Sequence, residues 1–371
     1  MRNPIIATFV VSLGLAAGCG PAFDPASEVQ GLRVLAIRAE PPEIAPVSDG
    51  SAPARAALGS LVVHPDFASN PGRGATVLHL ACTPAPGDGT ATLCAALSEL
   101  ADPGTLLAVA DLSTACAAPG VGAPGAVTFS GFEGCGRSGC GPIAVLRDPD
   151  DAGSAVTLPA AGYSLPVDYT FDLLPPGDPA RVLGREVVDV SLTLDASPAE
   201  LAPATAAADD CAALAAVMQR MAEEWSARPH VVSLKRIRVR GPEAPSAPNQ
   251  NPAITGMTLA GIALPSAGGA LPAFAPGVEL ELLPTLPAPF DLLRETWIRC
   301  DATGAPIEAV TEDWTFSWFS TAGELDVART QSPGEPERFT TPGTGSAQLW
   351  AVVRDSRGGT AWVPGEVSVG P

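Results

Sequence analysis

Two segments of the chain alternate apolar and polar residues one for one. Residues 167–173 set Val167, Tyr169, Phe171 and Leu173 against Asp168, Thr170 and Asp172, and residues 188–195 set Val188, Val190, Leu192 and Leu194 against Asp189, Ser191, Thr193 and Asp195. Successive side chains of a strand point to opposite faces, so this period of two predicts strands with one face in a core and one in water. Shorter apolar runs at 32–37, 58–63 and 75–80, bounded by Pro and Gly, predict further strands. Later in the chain Val278, Leu280 and Leu282 alternate with Glu279 and Glu281, and Trp314, Phe316 and Trp318 with Thr315 and Ser317. Two more runs, 346–354 and 360–369, flank the sequence Asp355-Ser356-Arg357-Gly358-Gly359, a turn-rich connection suited to a hairpin.

Helical spacing occurs in two places. Leu93, Leu97 and Leu100 within 91–101 recur at steps of four and three and predict a short helix. Cys211, Leu214, Met218, Met221 and Trp225 do so over 209–227, with Asp209 and Asp210 placed to complement the dipole at the start and Pro229 closing the far end. This second segment predicts an amphipathic helix packed on a sheet.

Residues 241–252 hold four Pro and almost nothing apolar, the composition of a semi-extended linker. Five of the six Trp, at 297, 314, 318, 350 and 362, lie beyond it and supply a core for a second domain over 253–371. That segment is expected to fold by itself, stand distal to the first domain, and offer its loops, including Asp355 to Gly359, to a partner.

Composition narrows the choice. With 38 Gly and 40 Pro among 371 residues, long helical bundles are excluded, while 46% hydrophobic and 16% charged residues describe a chain that folds. The net charge of −19 opposes displacement of counterions from phosphate, so no nucleic acid is expected as partner.

The first residues carry an address. Arg2 precedes an apolar run from Pro4 to Ala17, shorter than the roughly 20 residues that span a bilayer, which reads as an export signal over 1–18. The junction Leu15-Ala16-Ala17-Gly18-Cys19 resembles the lipobox of Gram-negative bacterial lipoproteins, although Ala16 stands where Leu is usual. The resemblance implies acylation of Cys19, which is held on the membrane by more than one chain. It further implies a tether over 19–31 and, because Gly20 and not Asp follows the cysteine, the outer membrane with a periplasmic or cell-surface location.

Export makes disulfides the default for the remaining cysteines. The candidates are Cys82, Cys94, Cys116, Cys135, Cys140 and Cys211, with Cys82 to Cys94 and Cys135 to Cys140 favoured by short separation and Cys300 left unpaired. Zinc from His79, Cys82 and Cys94 is disfavoured for the same reason, and no metal or other cofactor is expected. Gly134-Cys135-Gly136-Arg137-Ser138-Gly139 matches GxGxxG by spacing, but Cys140-Gly141-Pro142 follows where a helix would have to open, so a disulfide-closed loop is the better reading. Asp148-Pro149-Asp150-Asp151-Ala152-Gly153 copies part of a calcium loop yet lacks the closing Glu, since Pro159 occupies its place.

Catalysis is argued down. HExxH, GxSxG and the phosphate-loop motif are absent, and Lys235 is the only lysine. His64 and His230 adjoin Pro, and with His79 they read as solvated or structural. Lys235 to Arg240 would align Arg236, Arg238 and Arg240 on one strand face, able to contact an anion or to pair with acidic neighbours.

Trp314 to Phe319 and Leu349 to Asp355 resemble the middle and final strands of the immunoglobulin-like or PKD-like modules of bacterial surface proteins, and Leu32 to Pro46 resembles their opening strand and kink. The expectation is therefore a mainly β protein of two immunoglobulin-like β-sandwich domains, an enlarged one over 32–240 with helical and cysteine-rich insertions and a second over 253–371. Its expected role is a non-catalytic, lipid-anchored binding or structural module for a protein or glycan partner. The alternative is an exported hydrolase, for which His79 would be a candidate base.

Overall fold

A computed structural model describes residues 26–45, 54–70, 72–83, 116, 127–165, 174–266 and 270–370. The segments 91–101 and 167–173 lie outside the described residues. The chain is mainly β. In order, its first half contributes β1 (Arg33–Glu40), β2 (Glu43–Ile44), β3 (Arg55–Val63), β4 (Ala75–Cys82), β5 (Val127–Gly136), β6 (Gly139–Gly141), β7 (Ala144–Leu146), β8 (Ala155–Thr157), β9 (Gly162–Ser164), β10 (Arg185–Leu194) and β11 (His230–Val239). The second half contributes β12 (Gly256–Leu259), β13 (Ile262–Ala263), β14 (Ala273–Phe274), β15 (Glu279–Thr285), β16 (Thr296–Cys300), β17 (Pro306–Thr311), β18 (Trp314–Ser320), β19 (Glu324–Leu325), β20 (Arg329–Thr330), β21 (Glu337–Thr340), β22 (Gly345–Asp355) and β23 (Thr360–Val369).

Most of these strands form two pairs of sheets of related order, while β7 with β8 and β16 with β17 form separate two-stranded sheets. The first pair sets β1-β3-β9 against β2-β11-β10-β4-β5-β6, and the second sets β13-β12-β15-β21-β19 against β14-β23-β22-β18-β20. In each, the chain leaves the first sheet and adds a two-residue strand parallel to the last strand of the other, β2 beside β11 and β14 beside β23. The strand order fits an immunoglobulin-like sandwich, and its repetition within one chain is a property of topology that composition does not carry.

The first core lies on both faces of the six-stranded sheet. One face, with Leu78, Leu80, Phe129 and Phe132, is covered by the helix Asp210–Glu224, which buries Leu214, Val217, Met218 and Met221. Each such side chain contributes about 1.5–3 kcal/mol when removed from water. Asp209 opens that helix by accepting from the Ala212 amide at 2.8 Å, a cap worth about 1 kcal/mol. The other face packs Ala81, Ile237 and Val239 against Ala39, Leu58 and Tyr163 of the three-stranded sheet. In the second sandwich Trp314, Phe316 and Trp318 meet Leu282, Phe339 and Leu349. Among the described residues no helix is long and apolar enough to cross a membrane.

The sandwiches are joined face to edge. Strand β22 is buried on both sides: Leu349, Ala351 and Val353 face its own core, while Trp350 and Val352 cover Leu35, Ala36, Leu61 and Val63 of β1 and β3. The stretch before β1 joins the same contact, with the Val29 amide donating to Ser320 O at 2.8 Å. This arrangement corrects the expectation of a distal segment offering the Asp355 to Gly359 turn to a partner. That turn is folded against the first sandwich, where the Lys235 ammonium donates to Gly358 O and Arg357 reaches Glu43. A Cβ at Gly359 would collide with Asp355 Oδ2 and lie 2.9 Å from Gln250 O, so the close approach requires glycine.

Candidate functional site at the joint between the sandwiches

The positions singled out in the sequence scatter widely. Cys19 and Cys94 lie outside the described residues. Cys135 is bonded to Cys140, Cys116 is bonded to Cys211, Cys82 is also disulfide-bonded, and Cys300 is a free, half-buried thiol. A disulfide at Cys82 leaves no thiolate there for zinc. In the acidic turn, Asp148 Oδ1 accepts from the Asp150 amide and Asp151 Oδ1 from the Gly153 amide, both at 2.9 Å, so these carboxylates cap their own backbone.

Arg236 and Arg238 of β11 and Arg240 just beyond it do not act as a unit. Arg236, with 76% of its side chain exposed, pairs loosely with Glu186 at 3.7 Å. Arg238 donates to Leu183 O, and Arg240 donates to Ala244 O.

His79 sits at the centre of the first sandwich. In the register, Ser191 of β10 and Gly131 of β5 stand opposite it, so Asp189 and Glu133, each two residues along, share its face. Its Nδ1 lies 2.9 Å from Asp189 Oδ2 and its Nε2 3.1 Å from Glu133 Oε2, while Ser60 Oγ of the facing sheet is 3.3 Å from Nε2. Burial by itself pulls the imidazole pKa down, but the charges and hydrogen bonds of Asp189 and Glu133 outweigh it and raise the value to about 10. The arrangement of carboxylate, imidazole and hydroxyl resembles a nucleophile relay, and two facts disqualify it. The two carboxylates favour the protonated imidazole, which opposes a role as proton acceptor, and its side chain is 0% exposed, so no substrate reaches it.

From Asp189 the polar seam continues into the joint. Lys235 is its cross-strand partner on β11, and its Nζ donates to Gly358 O at 2.6 Å. Burial, opposed by the charge of Asp355, lowers this ammonium to about 8. Nearby Arg357, 5% exposed, contacts Glu43 at 3.1 Å and Glu295 at 3.0 Å, with Glu312 at 3.8 Å. Burial, and then the charge of Asp355, raise the Glu312 carboxyl pKa. Asn249 donates from its amide to Glu43 and from its side chain to Asp355, and Asn251 bridges Ala39 O, Glu40 and the Thr360 amide. The proline-rich segment 241–252 is thereby fixed against both sandwiches.

On another side of the joint a cleft of about 360 Å³ opens between the disulfide-closed loop Gly136–Gly139 and the hairpin β22–β23. Its floor is the outer face of that hairpin, where the register pairs Gln348 with Glu366, Trp350 with Pro364 and Val352 with Trp362. Glu366 is 7% exposed at its side chain, and its Oε2 has no hydrogen-bond partner; Arg137 Nη2 approaches to 3.7 Å. The Arg38 guanidinium lies 5.2 Å from the centroid of the half-buried Trp362. Sequence reasoning did not single out Glu366 or this pair of tryptophans as a site. The usable signal was the unbroken apolar run Leu349 to Val353, which departs from alternation because both faces are covered.

No protein-family model matches the chain, and no curated protein matches it.

Proposed function

We propose that the chain is a non-catalytic protein of the bacterial outer envelope, anchored by lipid at Cys19, which binds or braces a protein or glycan partner. The observation that carries this reading is the joint. Two sandwiches are locked by Arg357, Lys235 and the Trp350 contact into a relationship that leaves a half-open cleft lined by both. Rigidly joined β-sandwiches with a lined cleft suit recognition, because little ordering remains to oppose binding. The hydrolase alternative is opposed by the sealing and the charge of the His79 cluster. The strand order repeated in the two sandwiches supports the likeness to modules of bacterial surface proteins.

The test is crosslinking on intact cells that express either the native chain or Cys19→Ser. The native chain should partition with outer-membrane detergent extracts and capture a defined partner, and Cys19→Ser should move to the soluble envelope fraction. Unchanged partitioning of Cys19→Ser would sink the anchor. Hydrolytic activity that is lost in His79→Gln while the fold persists would sink the non-catalytic reading.

A further inference from the structure

We propose that the cleft between the sandwiches is a binding site for a neutral saccharide, with Trp362 as the stacking surface and Glu366 as the principal hydrogen-bond acceptor. The inference rests on the binding reading above and names its ligand class.

Three observations converge on this chemistry. The first is Glu366, a side chain more than nine-tenths buried at the cleft wall, whose Oε2 makes no hydrogen bond and has only the long 3.7 Å ion pair with Arg137. A buried acceptor left without a hydrogen bond carries a desolvation penalty that a ligand hydroxyl would remove on arrival. The second is the grading of the floor. Because alternate residues of paired strands share a face, Gln348 and Glu366 form a polar rung, Trp350 and Pro364 the next, and Trp362 the rung after that. At about 3.3 Å per residue, the four steps from Trp362 to Glu366 span about 13 Å, room for one or two pyranose rings. A sugar presents hydroxyls along its edge and C–H groups on its face, which matches a carboxylate and amide at one end and an indole at the other.

The third observation is charge. Arg137 stands 3.7 Å from Glu366, and both line the cleft, which therefore holds both signs side by side. An amine would be drawn by Glu366 and repelled by Arg137, and a phosphate would meet the reverse. A neutral ligand that both donates and accepts hydrogen bonds is opposed by neither. The volume of about 360 Å³ lies in the range of small-molecule sites.

The experiment uses the full mature chain carrying Cys19→Ser, so that no detergent competes for the aromatic surface. Glucose, N-acetylglucosamine, maltose, cellobiose and chitobiose are titrated while tryptophan fluorescence and heat are recorded, with spermidine and inorganic phosphate as charged probes. At least one sugar should bind saturably. Glu366→Gln and Trp362→Ala should each weaken it by at least tenfold, with unchanged circular dichroism. Should Trp362→Ala fail to fold, Arg137→Ala on the exposed loop takes its place and should weaken binding severalfold. Binding that persists undiminished in the folded variants overturns the site, and a panel on which only spermidine or phosphate binds overturns the ligand class. A panel on which no probe binds, alongside a captured protein partner on cells, overturns the saccharide inference and leaves the proposed function standing.

Discussion

Lys235 donates from Nζ to the Gly358 carbonyl oxygen across 2.6 Å and so fastens the hairpin turn of the second sandwich to the last strand of the first. It is the only lysine in the sequence, in a chain where every other side-chain cation except histidine is arginine. An ammonium is a compact point charge that can enter a narrow joint and satisfy a carbonyl and the Thr360 hydroxyl together, which a planar guanidinium does less readily.

Being unique, Lys235 reports on the joint. Its lowered pKa favours reaction with an acylating reagent, while its burial and hydrogen bonds oppose access. The second effect should dominate. Acetylation of the native chain at pH 8, followed by peptide mapping, should modify Lys235 at least tenfold more slowly than the same chain in urea. Equal rates would mean that the joint opens freely.

Replacing His79 by Leu should destabilise the chain by about 3–5 kcal/mol, because Asp189 and Glu133 are then buried without their cation. The pH dependence has a definite sign. The folded imidazole, raised to about 10 from an ordinary 6.5, contributes stability that is full below pH 6.5 and is lost as pH rises through 10. Lys235 acts in the opposite sense. Its lowered value of about 8 makes an unfavourable contribution that is relieved between pH 8 and its ordinary 10.5. The informative window is therefore pH 6.5 to 8, where urea midpoints of the native chain should fall with pH and those of His79→Leu should not. A native midpoint that stays flat across this window would exclude a charged His79.

The two described disulfides should differ in worth. Cys116–Cys211 closes a separation of 95 residues and Cys135–Cys140 one of 5. Loop-closure entropy gives about 4.7 kcal/mol for the first and about 2 kcal/mol for the second. Paired Cys→Ser replacements compared by urea denaturation should show the larger loss for Cys116 with Cys211. An equal or reversed order would show that strain or residual structure in the unfolded chain outweighs closure.

Strand identity was legible from alternation, but the expected wet face is absent: Asp189, Ser191 and Thr193 of β10 are 0% exposed and Ser317 of β18 is 6% exposed, because the polar face of each strand is covered by further parts of the chain. The alternation around Val188 to Asp195 and Trp314 to Trp318 predicts β10 and β18, and the spacing of Leu214, Met218 and Met221 predicts the helix Asp210–Glu224. The joint was not legible, because it is made by pairs far apart in sequence. Arg357 and Glu43 are separated by 314 positions, and neither carries a local motif. Two indirect signs existed. The run Leu349 to Val353 has no polar position, and His79 lies inside β4, whose eight residues are all buried, where a lone imidazole requires buried carboxylates around it. The composition of 241–252 predicts a semi-extended linker because it holds four Pro and almost nothing apolar. Here Asn249 and Asn251 instead supply the side-chain amides that satisfy strand ends and carboxylates of both sandwiches.

The dependence of the second sandwich on the first can be tested by separating them. Residues 253–371 retain their own core of Trp314, Trp318, Phe339 and Leu349. Alone, however, they would expose Trp350 and Val352 with the flanking Phe319 and Trp362, and Arg357 would lose Glu43. A contiguous apolar patch of this kind drives association. The isolated segment should therefore fold with reduced stability and self-associate at micromolar concentration, as seen by light scattering, and Val352→Arg should return it to a monomer. The same substitution in the full chain places a charge in the buried joint and should destabilise it by several kcal/mol. A monomeric isolated segment as stable as the full chain, or a Val352→Arg full chain of undiminished stability, would show that the joint contributes nothing. The relative placement of the two sandwiches, and with it the cleft, would then lack a structural basis.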